Sequence, residues 1–220
     1  MKINQVIDLS HPLHPGREAR TLEISRLDAT QLTGAPEEEG WYIMHRVVMV
    51  NHIGTHLEVP YHAIESSADL AQIPAEQYIG AAVILDLRGY DAQEGIALEA
   101  VQSAAEKAGG IEAGDLVLCM TGWSAHYGSE RYMSPPFLVR EAVQWIVGHG
   151  IKVLGIDTSG AMDPDSPDRW NHLPIMEAGV VYIENLTNLE AVPESRVMAA
   201  ALPPAIEGLE GMPVRVVAFT

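Results

Sequence analysis

His52-Ile53-Gly54-Thr55-His56-Leu57-Glu58-Val59-Pro60-Tyr61-His62 is the stretch on which the reading of this chain turns. Three histidines and one carboxylate fall within eleven residues. Imidazole and carboxylate are the ligands of zinc, manganese and similar divalent ions. The spacing of His52 and His56 would suit one face of a helix, as in the zinc metalloproteases. The residues between and after them argue against it. Gly54 is a poor helix former, Thr55 is β-branched, and Pro60 lacks a backbone donor. The preceding run Arg46-Val47-Val48-Met49-Val50 predicts a buried strand. The ligands are therefore expected at a strand end and on the loop leaving it. In an extended segment alternate residues share a face, so His52, His56 and Glu58 point one way. Gly54 leaves room for backbone or ligand to come close.

Working outward, 220 residues is the length of one domain, expected to span residues 1–220. A chain of this size buries roughly 70 % of its unfolded surface and needs no staples. Its 47 % hydrophobic and 20 % charged content is that of a soluble globular protein. The formal charge of −17 argues against nucleic acid as a partner and against anionic membranes. A small-molecule substrate is the expected partner. The single Cys119 excludes an intrachain disulfide and fits a reducing compartment. It lies in the apolar run Asp115–Met120, where a buried structural thiol is expected rather than a nucleophile. The first residues lack the apolar core of a signal peptide. No apolar run reaches the roughly 18 residues of a membrane span. A cytoplasmic location is the expectation.

Along the chain, Ile3–Leu9 predicts a strand, and Pro12 places His11 and His14 on a loop. The loop histidines read as solvated, with a site-lining role as the minority alternative. Residues 17–40 are polar and mixed, ending in Glu37-Glu38-Glu39, and read as a loop or flap. Residues 63–79 form a connector with a short helix near Ala68–Ile73. Ala81–Leu87 is an apolar run expected as a core strand. Leu98–Ala108 has amphipathic helical spacing and stops at Gly109. Asp115–Met120 is the next core strand. A helix from the Ser134 cap, with Pro135 at its first position, runs to about His149. Lys152–Asp157 is a core strand, residues 158–171 a polar loop, His172–Ala178 a helical candidate and Val180–Glu184 a strand. Arg196–Leu202 and Val214–Phe219 complete the strands. Strands alternating with helices mark an α/β arrangement. No phosphate-binding glycine loop, dinucleotide fingerprint or nucleophile elbow is found. Asp86 and Asp157 lie at strand ends, with Asp157 the better placed to support a site from behind its ligands.

The stretch from His52 to His62 resembles the signature of the cyclase-like metal-dependent hydrolases, the family of bacterial kynurenine formamidase (arylformamidase) and isatin hydrolase. That signature is His-x-Gly-Thr-His-x-Asp-x-Pro-x-His, and six of its seven fixed positions are met. The exception is Glu58, which stands where the family has Asp. The opening Asp8-Leu-Ser-His-Pro-Leu13 is also similar to the family's N-terminus, so the resemblance covers nearly the whole chain. It implies a swivelling β/β/α fold with a mixed β-sheet or barrel-like core flanked by helices. It also implies a hydrolase of amide or formamide C–N bonds. Arylformamidase activity on N-formylkynurenine comes first, with cyclic amides or lactones as the alternative. One cation would be held by His52, His56 and Glu58, and a second by Glu58, His172 and Glu184. The metal is zinc or manganese, with one or two ions per chain left open. The resemblance gives His62 the role of general acid/base, which suits an imidazole near pH 7. A third ligand is the other reading of His62. Trp41 and Trp123 are weaker candidates for stacking an aromatic substrate, weighed evenly against plain packing. A homodimer or larger assembly is implied. A non-catalytic metal- or ligand-binding protein is the rival from another class, supported only by the Asp-to-Glu change.

Overall fold

The computed structural model describes residues 3–27, 43–160, 163 and 172–220. In chain order these form β1 (Val6–Asp8), β2 (Leu22–Leu27), β3 (Met44–Met49), β4 (His56–Glu58), β5 (Ile79–Asp86), β6 (Gly95–Ile96) and α1 (Leu98–Lys107). Next come β7 (Leu116–Met120), β8 (Phe137–Leu138), α2 (Arg140–Val147), β9 (Val153–Ile156) and α3 (Leu173–Glu177). The chain closes with β10 (Val181–Glu184), β11 (Arg196–Ala200), β12 (Gly211–Pro213) and β13 (Val217–Phe219).

Among the described residues nine strands make one mixed sheet, in the order β1-β13-β11-β5-β7-β9-β10-β4-β12. It curls into a half-barrel. The four central strands, β5, β7, β9 and β10, run parallel, and every pairing outside them is antiparallel. Parallel strands are covered on both faces and read as continuous apolar runs. Ile84, Leu118, Val153 and Ile183 project into one core cluster. Their neighbours Val83, Cys119, Leu154 and Tyr182 project into the other. The second cluster lies under the helices. Val101, Ala104 and Ala105 of α1, and Ala142, Val143 and Ile146 of α2, enter it at the spacing that aligns one helix face. The first cluster is closed by Leu57, Val59, Leu9 and Leu186. The fold expected from the resemblance is the one observed. No helix among the described residues is long and apolar enough to cross a membrane.

Several local expectations are corrected. β3 is a strand, but it is not buried: Val47 and Val48 are 48 % and 49 % exposed. Among the described residues it pairs only with β2, as a separate two-stranded sheet. The mixed segment 17–40 therefore contains a strand, Leu22–Leu27; its acidic run Glu37–Glu39 lies outside the described residues. The helix expected at Ser134 begins at Arg140. Pro135 precedes Pro136, and a residue before proline is pushed out of the helical region. Phe137 and Leu138 instead pair with Gly95 and Ile96. No helix forms at Ala68–Ile73; the turn lies at Ala75–Tyr78. The described part of the 158–171 loop is 158–160 and 163. Cys119 is fully buried, and burial drives its thiol far above the usual range.

Candidate metal centre

The site is built on β4, the sheet's next-to-last strand, where the chain changes direction twice. Gly54 adopts φ +57°, a left-handed turn that side chains disfavour. A Cβ there would also meet Leu13. His52 consequently approaches from a turn, and not along the strand: the expectation that it alternates with His56 and Glu58 is corrected. Those two do alternate, with Leu57 between them turned into the core. Pro60 then opens a short turn, Pro60–His62. It brings His62 Nε2 to 3.8 Å from Glu58 Oε2.

β10 supplies the opposite wall. Its antiparallel register sets Glu184 across from His56 and Tyr182 across from Glu58. Cross-strand partners lie close enough for their side chains to interact. Glu184 Oε2 stands 3.5 Å from His56 Nε2, and its Oε1 stands 3.6 Å from His172 Nε2. His172 leads into α3. Its ring meets Tyr182 edge-on with centroids 5.5 Å apart.

Glu58 is the centre of this cage. Its Oε1 lies 2.9 Å from His52 Nδ1 and 3.6 Å from His56 Nε2. Its Oε2 lies 3.4 Å from His172 Nε2. Burial disfavours the charged form of Glu58. The hydrogen bond from His52, the neighbouring His56 and the charges of His172 and His62 outweigh that, so its carboxyl titrates far below the usual range. Burial also lowers His52 and His172. The carboxylates around each outweigh it, and both titrate above an ordinary imidazole. For His62 burial prevails, helped by His52 and His172 against Glu58, and its pKa falls. His62 is also the open member: its side chain is 31 % exposed, against 3 % for Glu58 and 4 % for His56.

Two buried atoms mark what the cage fits. His56 Nδ1 donates to the Gly54 carbonyl at 2.8 Å, so its Nε2 carries the lone pair. That Nε2 and Glu58 Oε2 are buried without a hydrogen-bond partner. Buried polar atoms are seldom left so. An unpartnered imidazole nitrogen and an unpartnered carboxylate oxygen, set among further imidazoles and carboxylates, suit a divalent cation. The ligand atoms of His52, His56 and Glu58 lie within 4.8 Å of one another, as do those of Glu58, His62 and His172 and those of His52, His62 and Glu210.

Of the residues singled out from sequence, the structure brings together His52, His56, Glu58, His62, His172 and Glu184. Trp41 lies outside the described residues. Trp123 is 3 % exposed. Its ring N–H donates to the Tyr132 carbonyl, and Arg131 lies over its face. It packs and offers no open stacking surface. The hydrogen bonds of Asp157 among the described residues go to the end of β7. Its carboxylate accepts from Thr121 N–H and Oγ1–H and from Gly122 N–H. His11 is not solvated: it stacks on Tyr127 at 3.8 Å, and its Nε2 is buried without a partner. Burial lowers its pKa to about 4 against the pull of Glu18.

Three residues escaped the sequence reading. Asn185 adopts φ +59° and donates to the Gly54 carbonyl at 2.8 Å, securing the turn under His56. Glu210 reaches His52, and Asn51 donates to that Glu210 carboxylate. Only Asn185 carried a signal: asparagine at a strand's end tolerates the left-handed region.

The family model described as "Putative cyclase" matches residues 7–163. Kynurenine formamidase of Bacillus cytotoxicus is 25 % identical over 218 residues, covering 99 % of this chain and 98 % of the relative. Kynurenine formamidase of Erythrobacter litoralis is 28 % identical over 203 residues, covering 91 % and 84 %. Among solved structures, isatin hydrolase A from Labrenzia aggregata superposes with a TM-score of 0.85 at 22 % identity. It covers 98 % of this chain and 93 % of that one.

Proposed function

We propose, from the premise that this chain belongs to the cyclase family of its matching model, that it is a divalent-metal hydrolase of non-peptide amide C–N bonds. The observation that carries this reading is the cage itself: four imidazoles and two carboxylates converge on one buried space, with His56 Nε2 and Glu58 Oε2 unpartnered. His52, His56 and Glu58 would hold the cation, and His172 and Glu184 would complete a second position beside the same Glu58. The longer Glu58 side chain is in reach of both groups, and zinc or manganese suits the donor set. A divalent ion bound there supplies a Lewis acid that polarises a carbonyl and makes water acidic near neutrality.

The chain's own work is then proton handling and shape. His62 stands at the open side, 3.8 Å from Glu58. With its pKa depressed, its ring is neutral at pH 7 and ready to accept a proton from water as that water attacks the acyl carbon. The same proton then passes to the departing nitrogen. Burial of Glu58 and His56 excludes solvent from behind the reacting centre. The names of the relatives support a formamide substrate first. N-formylkynurenine plus water would give kynurenine and formate.

The test is metal content per chain, followed by hydrolysis of N-formylkynurenine and of isatin, before and after chelation and reloading. Activity on the formamide that vanishes with chelation and returns with zinc or manganese supports the reading. Activity on isatin alone moves the substrate to cyclic amides. A protein that takes up no metal refutes the proposal.

The β2–β3 sheet supports self-association. Ile24 and Val47 face each other across it, and each is about half exposed. Apolar side chains set side by side on an exposed sheet face suit an interaction surface. A second copy of the chain is the partner we assign.

A further inference from the structure

β12 forms the outer edge of the sheet, and its pairing with β4 controls more than the edge. The register sets Gly211 opposite Glu58. Val59 N–H donates to the Glu210 carbonyl at 2.9 Å. A Cβ on Gly211 would stand 2.6 Å from the Leu57 carbonyl oxygen and 3.6 Å from His52 Nε2. With no side chain there, the His52 ring lies against this backbone. The Glu210 carboxylate reaches the same ring. Its Oε1 lies 3.0 Å from His52 Nε2 and accepts from Asn51 Nδ2 at 2.8 Å. Asn51 donates as well to the Gly211 carbonyl at 3.1 Å, fixing the corner. On the far side of the ring, Nδ1 lies 2.9 Å from Glu58 Oε1; it donates there while the ring carries both protons, and a cation bound beside Glu58 would take the place of that Nδ1 proton. His52 is thus held between an inner carboxylate and an outer one.

We propose that Glu210 is the positioning residue of His52: by accepting Nε2–H it fixes the tautomer whose Nδ1 lone pair faces a divalent cation shared with Glu58 and His56. This rests on the metal-hydrolase reading above. A neutral imidazole carries one N–H, so a bond made by one nitrogen decides which nitrogen is the ligand. Histidine ligands commonly give their second N–H to a carboxylate or carbonyl, which holds the ring and raises its basicity. His56 uses the Gly54 carbonyl in this way, through Nδ1. His52 uses Glu210, through Nε2. The two rings therefore bind through opposite nitrogens, and only one of them leans on a charged partner. That partner comes from a segment some 150 residues further along the chain.

The test is zinc affinity by chelator competition for wild type, Glu210→Ala and Glu210→Gln, with ring-nitrogen NMR of the zinc-loaded proteins. The Glu210 side chain is 29 % exposed, so its truncation opens no buried cavity. Thermal unfolding of each metal-free variant checks the fold, and Asn51→Ala, which frees the carboxylate without removing it, serves as a second variant. Glu210→Ala is expected to weaken zinc by about 10–100-fold, the usual worth of such a partner. Stoichiometry should not change. Glu210→Gln, which retains an acceptor oxygen, should lose less, and Asn51→Ala should shift in the same direction. NMR should show His52 protonated at Nε2 and coordinated through Nδ1. Wild-type affinity in Glu210→Ala, or coordination through Nε2, overturns the inference and leaves the proposed function standing. Loss of one zinc per chain in both Glu210 variants would make Glu210 a ligand, which also overturns it. A wild-type chain that binds no zinc or manganese refutes the proposed function, and this inference with it.

Discussion

Gly211→Ala tests whether the edge strand is the frame of the site. An added Cβ would sit 2.6 Å from the Leu57 carbonyl oxygen, where ordinary contact begins at 3.4 Å. The obstacle is backbone and cannot rotate away, so β12 must retreat from β4 by about 0.8 Å, the difference between those two distances. Forcing extra volume into a packed position costs about 1–3 kcal/mol. Alanine recovers about 0.4–1 kcal/mol by restricting the unfolded chain. The net loss is then about 0–2.6 kcal/mol. For a chain of this size each kcal/mol lowers the melting temperature by roughly 2–4 °C. The larger consequence is functional. Binding sites tolerate displacements of about 0.5 Å, and a 0.8 Å shift would carry Glu210 off His52 and disturb the backbone that holds Glu58. Thermal unfolding of the metal-free protein and zinc competition on the same preparation read both effects. We expect a lower melting temperature together with weakened zinc. An unchanged melting temperature with unchanged zinc affinity would refute the claim that β12 is clamped against Leu57 and frames the cage.

Replacing His62 by Ala should leave zinc content intact and lower turnover by roughly 10²–10⁴-fold; loss of metal would instead make His62 a ligand. His11 predicts a stability change with pH. Its folded pKa of about 4 lies below the unfolded 6.5, so between those values the unfolded chain binds the extra proton. Stability is full above pH 6.5 and declines as pH falls toward 4. Against His11→Phe, which keeps a ring on Tyr127, the wild type should show a steeper decline between pH 6.5 and 4, softened by solvent screening of the partly exposed ring; parallel profiles would mean that His11 does not titrate as its burial dictates. Replacing Ile24 and Val47 together by Asp should turn an assembled species into monomer by light scattering without lowering the melting temperature by more than a few degrees. A monomeric wild type would remove the self-association reading.

Much of the fold was legible because its central strands are continuous apolar runs and its helices have regular apolar spacing. These signals are local. Ala81–Leu87, Asp115–Met120 and Lys152–Asp157 could be read as core strands without knowing their neighbours. The histidine-rich run was legible for a similar reason: His56 and Glu58 sit two apart on one strand, and Pro60 returns His62 within four residues. Burial of β3 was not legible, because Val47 and Val48 are as apolar as any core pair and only a partner surface decides whether they are covered. Nor was the start of α2, where an acceptable cap was overruled by the Pro135-Pro136 pair and the extended pairing of Phe137.

By itself the sequence determined the run of imidazoles around one carboxylate, the family pattern and the alternation that aims His56 and Glu58 together. Tertiary structure decided the rest. The β4–β10 register sets Glu184 against His56 across 128 positions of chain. The β4–β12 register brings Glu210 to His52, in a segment whose composition carries no hint of it. Contacts of this kind arise from strand pairing between distant segments. A carboxylate's role in them depends on which strand lies alongside, and not on its neighbours in the chain.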